Sequence, residues 1–211
     1  MILEIGMIVG SYLIGSIPTG VIIARLFARV DIQTQGSRNI GATNVTRVVG
    51  KKAGLLTLLG DVAKGALPVW AMTAVVGADQ AASQWWIAAV GAAAFTGHLF
   101  PLYLLGRGGK GVATALGVYL AAAPFVLAGC LAVFLAGAVT TRYVSMGSIL
   151  GAVSLPILAL WKYGAGPFFW MSCFICLSII LKHHENIRRI LKGEESRWNE
   201  PRNETHIGGG S

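Results

Sequence analysis

The chain has 211 residues, 55% of them hydrophobic and 12% charged, with a formal net charge of +8. Its apolar runs reach the ~20 helical residues that cross a hydrocarbon core, which excludes a soluble globular domain. Basic residues stand at the ends of those runs, which argues against nucleic acid, and Cys130, Cys173 and Cys176 all lie inside them, which argues against a disulfide framework.

The first apolar run, at about residues 4–24, has Glu4 before it and Arg25 after it and is expected to be a retained helix, not a cleaved leader. A polar segment follows, Gly36-Ser-Arg-Asn-Ile-Gly-Ala-Thr-Asn-Val-Thr-Arg47. It is rich in donors and nearly free of acids, and the Arg47 guanidinium suits bidentate phosphate binding. Ser, Thr and Asn also stabilise turns, and for this segment alone that reading serves equally well. The second run, at about residues 54–77, contains Asp61 and Lys64, whose depth is costly unless they face protein or water; three residues apart, they can pair. Such a pair orients a site or serves directly in one. The third run, at about residues 85–105, contains His98, which reads better as a satisfied buried histidine than as a base.

Next comes Gly106-Arg-Gly-Gly-Lys-Gly111. Successive glycines let backbone amides converge on an anion, Lys110 adds charge, and a helix begins just after. The formal match to a dinucleotide fingerprint fails, because no strand precedes it and Gly111 stands where a phosphate-binding P-loop needs Ser or Thr. Residues 112–141 are long for one crossing and short for two, and Pro124 is expected to break the helix near the middle. The last runs, at about 147–161 and 165–181, lead into Lys182-His-His-Glu-Asn-Ile-Arg-Arg189, where His183 and Asn186 share a helical face. A basic belt at the lipid headgroups accounts for Lys182, Arg188 and Arg189, but not for the histidine and asparagine. Residues 196–211 form a polar tail expected to be disordered, part of it a linker remnant.

Parity of the spans decides the topology. With seven transmembrane helices and the amino terminus outside, every Lys and Arg except Lys64 and Lys162 falls on one face; six spans would move Arg142 and the basic tail to the opposite one. The bias of basic residues toward the cytoplasm selects seven. The expected fold is an all-α integral membrane protein, a single polytopic domain over residues 1–195 with a cytoplasmic carboxyl terminus. All the polar motifs then gather at the cytoplasmic surface, where the sequons Asn44-Val-Thr46 and Asn203-Glu-Thr205 are coincidences. No His-Glu-x-x-His, paired Cys or Asp-rich motif is present, so neither a metal nor another cofactor is expected. A transporter of small organic phosphates would need polar groups on the outer face, which offers little beyond Asp79, Gln80, Gln84 and Lys162. A structural scaffold for anionic lipid explains the charge but not the motifs, and transfer of a phosphatidyl group from a nucleotide donor would call for an Asp-rich metal motif.

Taken together, Ser11-Tyr-Leu-Ile-Gly-Ser-Ile-Pro-Thr-Gly20, Ser37 to Arg47, Gly108-Gly-Lys-Gly-Val-Ala-Thr114 and His183 to Glu194 make the chain resemble the bacterial membrane glycerol-3-phosphate acyltransferases that use acyl phosphate. The resemblance implies a seven-helix protein of the bacterial inner membrane with its site facing the cytoplasm. It implies transfer of a fatty acyl group to the 1-hydroxyl of glycerol 3-phosphate, giving lysophosphatidic acid and inorganic phosphate for phospholipid synthesis. Ser37, Asn39, Thr43, Asn44 and Arg47 match the family's first motif, Gly108, Gly109 and Lys110 the second, and Ser148, His183 and Asn186 the rest. Arg38 stands where the pattern usually has Gly, and no role is carried onto it.

Arg47 and Lys110, with Ser37 and the Gly108 and Gly109 amides, are suited to holding phosphates. His183 and Asn186 would orient the glycerol hydroxyls, and Ser148 would donate near the donor phosphate or the reacting carbonyl. Asp61 and Lys64 are expected to support the site. The implied partners are glycerol 3-phosphate, a long-chain acyl phosphate and membrane lipid, without nucleic acid, and a monomer is expected. The attacking hydroxyl's proton passes either to a substrate phosphate or to His183.

Overall fold

A computed structural model describes residues 1–77 and 81–198, so the expected outer connection through Asp79 and Gln80, and most of the tail, lie outside the described residues. Within them the regular structure is helical: α1 (Ile2–Gly15), α2 (Thr19–Ala28), α3 (Ala42–Val48), α4 (Lys51–Val76), α5 (Ala81–Leu99), α6 (Val112–Ala122), α7 (Pro124–Thr141), α8 (Val144–Tyr163), α9 (Pro167–Lys182) and α10 (His184–Lys192), with a short 3-10 turn at Leu102–Leu104.

The first apolar run is two helices, not the continuous one its hydropathy suggested. Pro18 has no N–H to continue α1, so the chain breaks at Ser16 to Pro18 and restarts at Thr19. Lys64 of α4 reaches across to donate to the freed Ile17 carbonyl at 2.9 Å. The expected break at Pro124 is present, with Ala123 at the joint between α6 and α7.

By length and composition alone, five segments are long and apolar enough to cross a membrane, at 2–28, Lys51–Val76, 82–104, Pro124–Thr141 and Val144–Tyr163. Counting α9 with α10 across their 53° bend makes six. The count of seven is not reached on this measure because α6, with its 11 residues, spans only ~16 Å, short of a ~30 Å hydrocarbon core.

The core lies where α4, α5, α6 and α9 pack together, around Val69, Phe95, Val118, Tyr119 and Ile175. Gly65 and Gly117 let α4 and α6 approach closely: a Cβ on Gly117 would stand 2.8 Å from the Val62 carbonyl carbon, and one on Gly65 would stand 3.1 Å from the Val118 nitrogen. A smaller core, Val21, Ala24, Ile32, Ile40, Val45 and Ala53, holds the first polar loop against α2, α3 and the start of α4. That loop is therefore a packed cap. Outside these cores the helices carry broad exposed apolar surfaces, including Leu3, Phe27, Trp70, Phe125 and Trp161, as expected of faces that meet lipid.

Candidate active site

Four polar segments far apart in sequence meet at one end of the bundle. Gln33 of the first loop donates to the Arg107 carbonyl at 3.3 Å, bringing that loop to the glycine segment. Lys110 of the glycine segment donates to the Asn186 side-chain carbonyl on α10. The other end of the Asn186 amide donates to Glu195 at 2.6 Å, and Glu195 also accepts from Ser145 of α8 at 2.7 Å and from Arg189 Nε at 2.7 Å. The Trp198 amide donates to the Arg142 carbonyl at 3.0 Å, tying the tail to the α7–α8 turn. Lys110 and Ser145 flank α6 and α7 in sequence and belong to one cluster, so these two helices return the chain to the side from which it left.

The glycines act mainly through close approach. A Cβ on Gly108 would press on the Leu99 carbonyl and the Pro101 ring, each at 2.5 Å, and one on Gly109 would enter the His98 ring, with Cε1 at 2.9 Å. The Gly109 amide donates to the His98 carbonyl at 3.1 Å. The amide expected to hold a phosphate is thus used to dock the loop on the end of α5, which leaves Lys110 projecting at the start of α6. Gly111 at φ 82° makes the left-handed turn into that helix.

Lys110 is half-buried among charges from several elements. Burial lowers its pKa to about 8; Arg189 and Arg47 push the same way, while Glu195 and Glu185 oppose them. His183, at the joint of α9 and α10, is buried, and its Nδ1 lies 2.8 Å from the Ile179 carbonyl. A carbonyl only accepts, so Nδ1 carries the proton and the neutral ring presents Nε2 as an acceptor. Burial first, and the Lys110 charge second, push its pKa down to about 4. Burial works against the Glu195 carboxylate, but the hydrogen bonds from Ser145, Asn186 and Arg189 outweigh it and hold its pKa below the ordinary range.

The remaining expected residues divide by what they touch. Asn44 is buried and fully used within the loop: its carbonyl accepts from the Ser37 amide at 2.9 Å, and its amino group faces the carbonyls of Asn39 at 2.9 Å, Gln35 at 3.0 Å and Ile32 at 3.4 Å. Asn39 accepts from the Gly41 amide at 2.8 Å. Both asparagines, expected to bind substrate, fold the loop. Thr43 is exposed on α3, and Arg47 lies in its last turn, close enough to influence Lys110. Ser37 lines an open polar cavity of about 490 Å³ with Arg38, Arg188, Arg189 and Lys192. Arg38 adopts φ 58°, a left-handed conformation that explains a glycine at this position in the pattern the chain resembles. Ser148 donates to the Val144 carbonyl of its own helix at 2.9 Å, whereas Ser145, three residues earlier, reaches the cluster.

Asp61 and Lys64 pair at 2.8 Å, both buried, with Thr19 donating to Asp61 at 2.5 Å and His98 Nδ1 lying 3.5 Å from it. They stitch α4 to the break at Pro18 and stand behind the glycine segment through His98. Glu195 and Ser145 were not singled out in the sequence, and Arg189, read there as part of a headgroup belt, instead holds Glu195. A lone glutamate in a basic tail carries no local signal of function. Among the described residues no group of three His, Cys, Asp or Glu side chains converges as a metal site would require.

Comparison with known proteins accords with this arrangement. The model of the family described as glycerol-3-phosphate acyltransferase matches residues 5–193. Curated relatives bearing that description include one from Syntrophotalea carbinolica, 49% identical over 91% of this chain and 96% of that protein. Another, from Trichlorobacter lovleyi, is 45% identical over 90% of this chain and 95% of that protein. Among solved structures, the glycerol 3-phosphate form of PlsY, an integral membrane glycerol 3-phosphate acyltransferase, superposes with a TM-score of 0.86 at 38% identity, over 93% of this chain and 96% of that one. Its lysophosphatidic acid form superposes with a TM-score of 0.84 at 37% identity, over 93% and 95%. The fold is accordingly that of an all-helical, multi-pass integral membrane protein, and the chain belongs to the glycerol-3-phosphate acyltransferase family.

Proposed function

We propose that the chain transfers a fatty acyl group from an acyl phosphate to the 1-hydroxyl of glycerol 3-phosphate. The chain is a glycerol-3-phosphate acyltransferase, and lysophosphatidic acid is its product. The finer assignment rests on one observation: Lys110, Asn186 and His183 stand together at the polar end of the bundle, with Arg47 near enough to act on Lys110.

An acyl phosphate is a mixed anhydride with a good leaving group, so the enzyme's work is to bring two phosphates together and disperse their charge. Arg47, Lys110 and Ser37 would hold those phosphates. His183 Nε2 would accept from a glycerol hydroxyl and orient it, with Asn186 beside it and Ser148 one turn away from Ser145. A ring with a pKa of about 4 is a poor proton acceptor near neutrality, whereas a phosphate ester, with its second pKa at ~6, is better matched. The attacking hydroxyl therefore gives its proton to a substrate phosphate oxygen as the carbonyl–oxygen bond to the leaving phosphate breaks. The acyl chain would lie between helices, open to lipid, which spares ~0.8 kcal/mol per buried methylene of exposure to water.

Residues 1–195 would form one domain of the bacterial inner membrane, crossing it seven times, with the amino terminus outside and the site on the cytoplasmic side. What supports seven is that both flanks of α6 and α7 belong to the polar cluster. A monomer suffices, since the cluster is assembled within one chain. Purified protein in lipid, given glycerol 3-phosphate and palmitoyl phosphate without added metal, is expected to release lysophosphatidic acid and inorganic phosphate in equal amounts. Product only from palmitoyl thioesters would overturn the acyl-phosphate assignment.

A further inference from the structure

We propose that Glu195 is a positioning residue for acyl transfer: its carboxylate fixes the Asn186 amide so that the carbonyl end faces Lys110, and so sets where the Lys110 ammonium stands against a substrate phosphate. Glu195 lies beyond the residues 5–193 matched by the family model. The proposal rests on the acyl-transfer reading above.

An ionised carboxylate only accepts and an ammonium only donates, whereas an amide does one at each end. Asn186 stands between the two, donating to Glu195 Oε1 at 2.6 Å and accepting from Lys110. Either charge alone would set the amide's orientation, and together they make the arrangement single-valued. Glu195 is itself held from two sides, by Ser145 of α8 on the same oxygen and by Arg189 Nε at 2.7 Å on Oε2. Its side chain is only 8% exposed, so these are charge-assisted bonds shielded from solvent. Without the carboxylate, the Lys110 charge is the amide's one remaining anchor, and the Asn186 carbonyl follows the ammonium instead of fixing where it stands.

The charged and titratable groups facing Lys110 are Arg47 from α3, His183 at the α9–α10 joint, Glu185 and Arg189 from α10, and Glu195 from the tail. Glu195 is the carboxylate acting most strongly on Lys110, and it supports the ammonium's charge against burial. Replacing it with a neutral isostere therefore moves the Lys110 titration further down.

The test uses the full chain in lipid. Glu195→Gln is expected to lower kcat about ten- to hundredfold, the scale of a hydrogen bond to a charged group, and to move the alkaline limb of the pH profile below its wild-type position. In an Asn186→Ala background the same change adds little, because the relay is already gone, whereas a general loss of packing would add in full. Nitrogen-15 NMR of the lysine side chains reads the Lys110 titration without turnover, so a failed acyl-transfer reading, seen as no product from wild type, leaves this result standing. If the Gln variant does not insert, Glu195→Asp keeps the charge but withdraws it from Asn186; it is expected to keep the Lys110 titration near the wild-type value while losing turnover. Wild-type turnover and titration in the Gln variant, or wild-type turnover in the Asp variant, would overturn the proposal.

Discussion

Lys110 carries the positive charge that joins the glycine segment to α10, and its titration should govern activity on the alkaline side. With its pKa lowered to about 8, the ammonium is intact below that pH and lost above it, so kcat/KM is expected to fall as pH rises through about 8. Lys110→Arg should move that limb beyond the measurable range, since a guanidinium stays charged. Lys110→Ala should reduce turnover about a hundredfold or more, the scale of losing one group that stabilises developing charge, while the variant still inserts and folds. His183 predicts the opposite slope for stability. Its folded pKa of about 4 lies below the ordinary 6.5, so between those values the unfolded chain binds a proton that the folded one refuses. Stability is then lost as pH falls from 6.5 toward 4, and His183→Asn should flatten that part of a Tm profile in detergent. At this scale the residue types were legible because phosphate chemistry needs Arg, Lys and Gly. Their division of labour was not: Asn44 and Gly109 look available in sequence, and only folding shows the Asn44 amide and the Gly109 backbone amide already engaged.

Helix boundaries show what apolarity does and does not encode. Pro124 broke residues 112–141 as expected, since the run is too long for one crossing and the proline stands near its middle. Pro18 was hidden inside a run whose hydropathy is continuous, so the break between α1 and α2, and the use of Lys64 to satisfy Ile17, were not legible. α5 ends at Leu99 instead of near residue 105, because Pro101 and the 3-10 turn after it redirect the chain, and this places His98 at the helix end against Gly109. The Asp61–Lys64 pair therefore belongs to architecture. Asp61→Asn strands a buried ammonium and is expected to cost ~3–5 kcal/mol, visible as a lower Tm with residual activity in the fraction that remains folded. Gly117→Ala probes the α4–α6 contact in a different way. Its methyl group would press on the backbone of Val62 and Ala66, an overpacking that costs ~1–3 kcal/mol. The expected outcome is a lower Tm with KM unchanged, since Gly117 faces α4 and not the polar cluster.

Across the whole molecule, four exposed tryptophans mark the end opposite the polar cluster, while exposed Phe100, Tyr103 and Trp198 lie at the cluster end. Trp70 late in α4, Trp85 at the start of α5, Trp161 at the end of α8 and Trp170 at the start of α9 are all substantially exposed and lie away from the cluster, the placement expected of an interfacial belt. The cluster end gathers Arg47, Lys110, Arg142, Arg188 and Arg189, and under the proposed orientation this end faces the cytoplasm, the side that basic residues favour. This can be read by labelling single cysteines with a membrane-impermeant maleimide, after Cys130, Cys173 and Cys176 are replaced by Ala and activity is checked. Cysteines at Arg107, Arg142 and Arg188 are expected to react only from the cytoplasmic side, and cysteines at Gly77 and Gly164 only from outside. Arg142 decides the topology. If residues 112–141 crossed once, it would react from outside while Arg107 reacted from inside, and the Lys110–Asn186 contact could not form across the bilayer. If α6 and α7 cross and return, or dip and return, Arg107, Arg142 and Arg188 share a side, and a cysteine at Pro124 separates the two cases: reactivity from outside means seven crossings, and protection from both sides means a re-entrant pair.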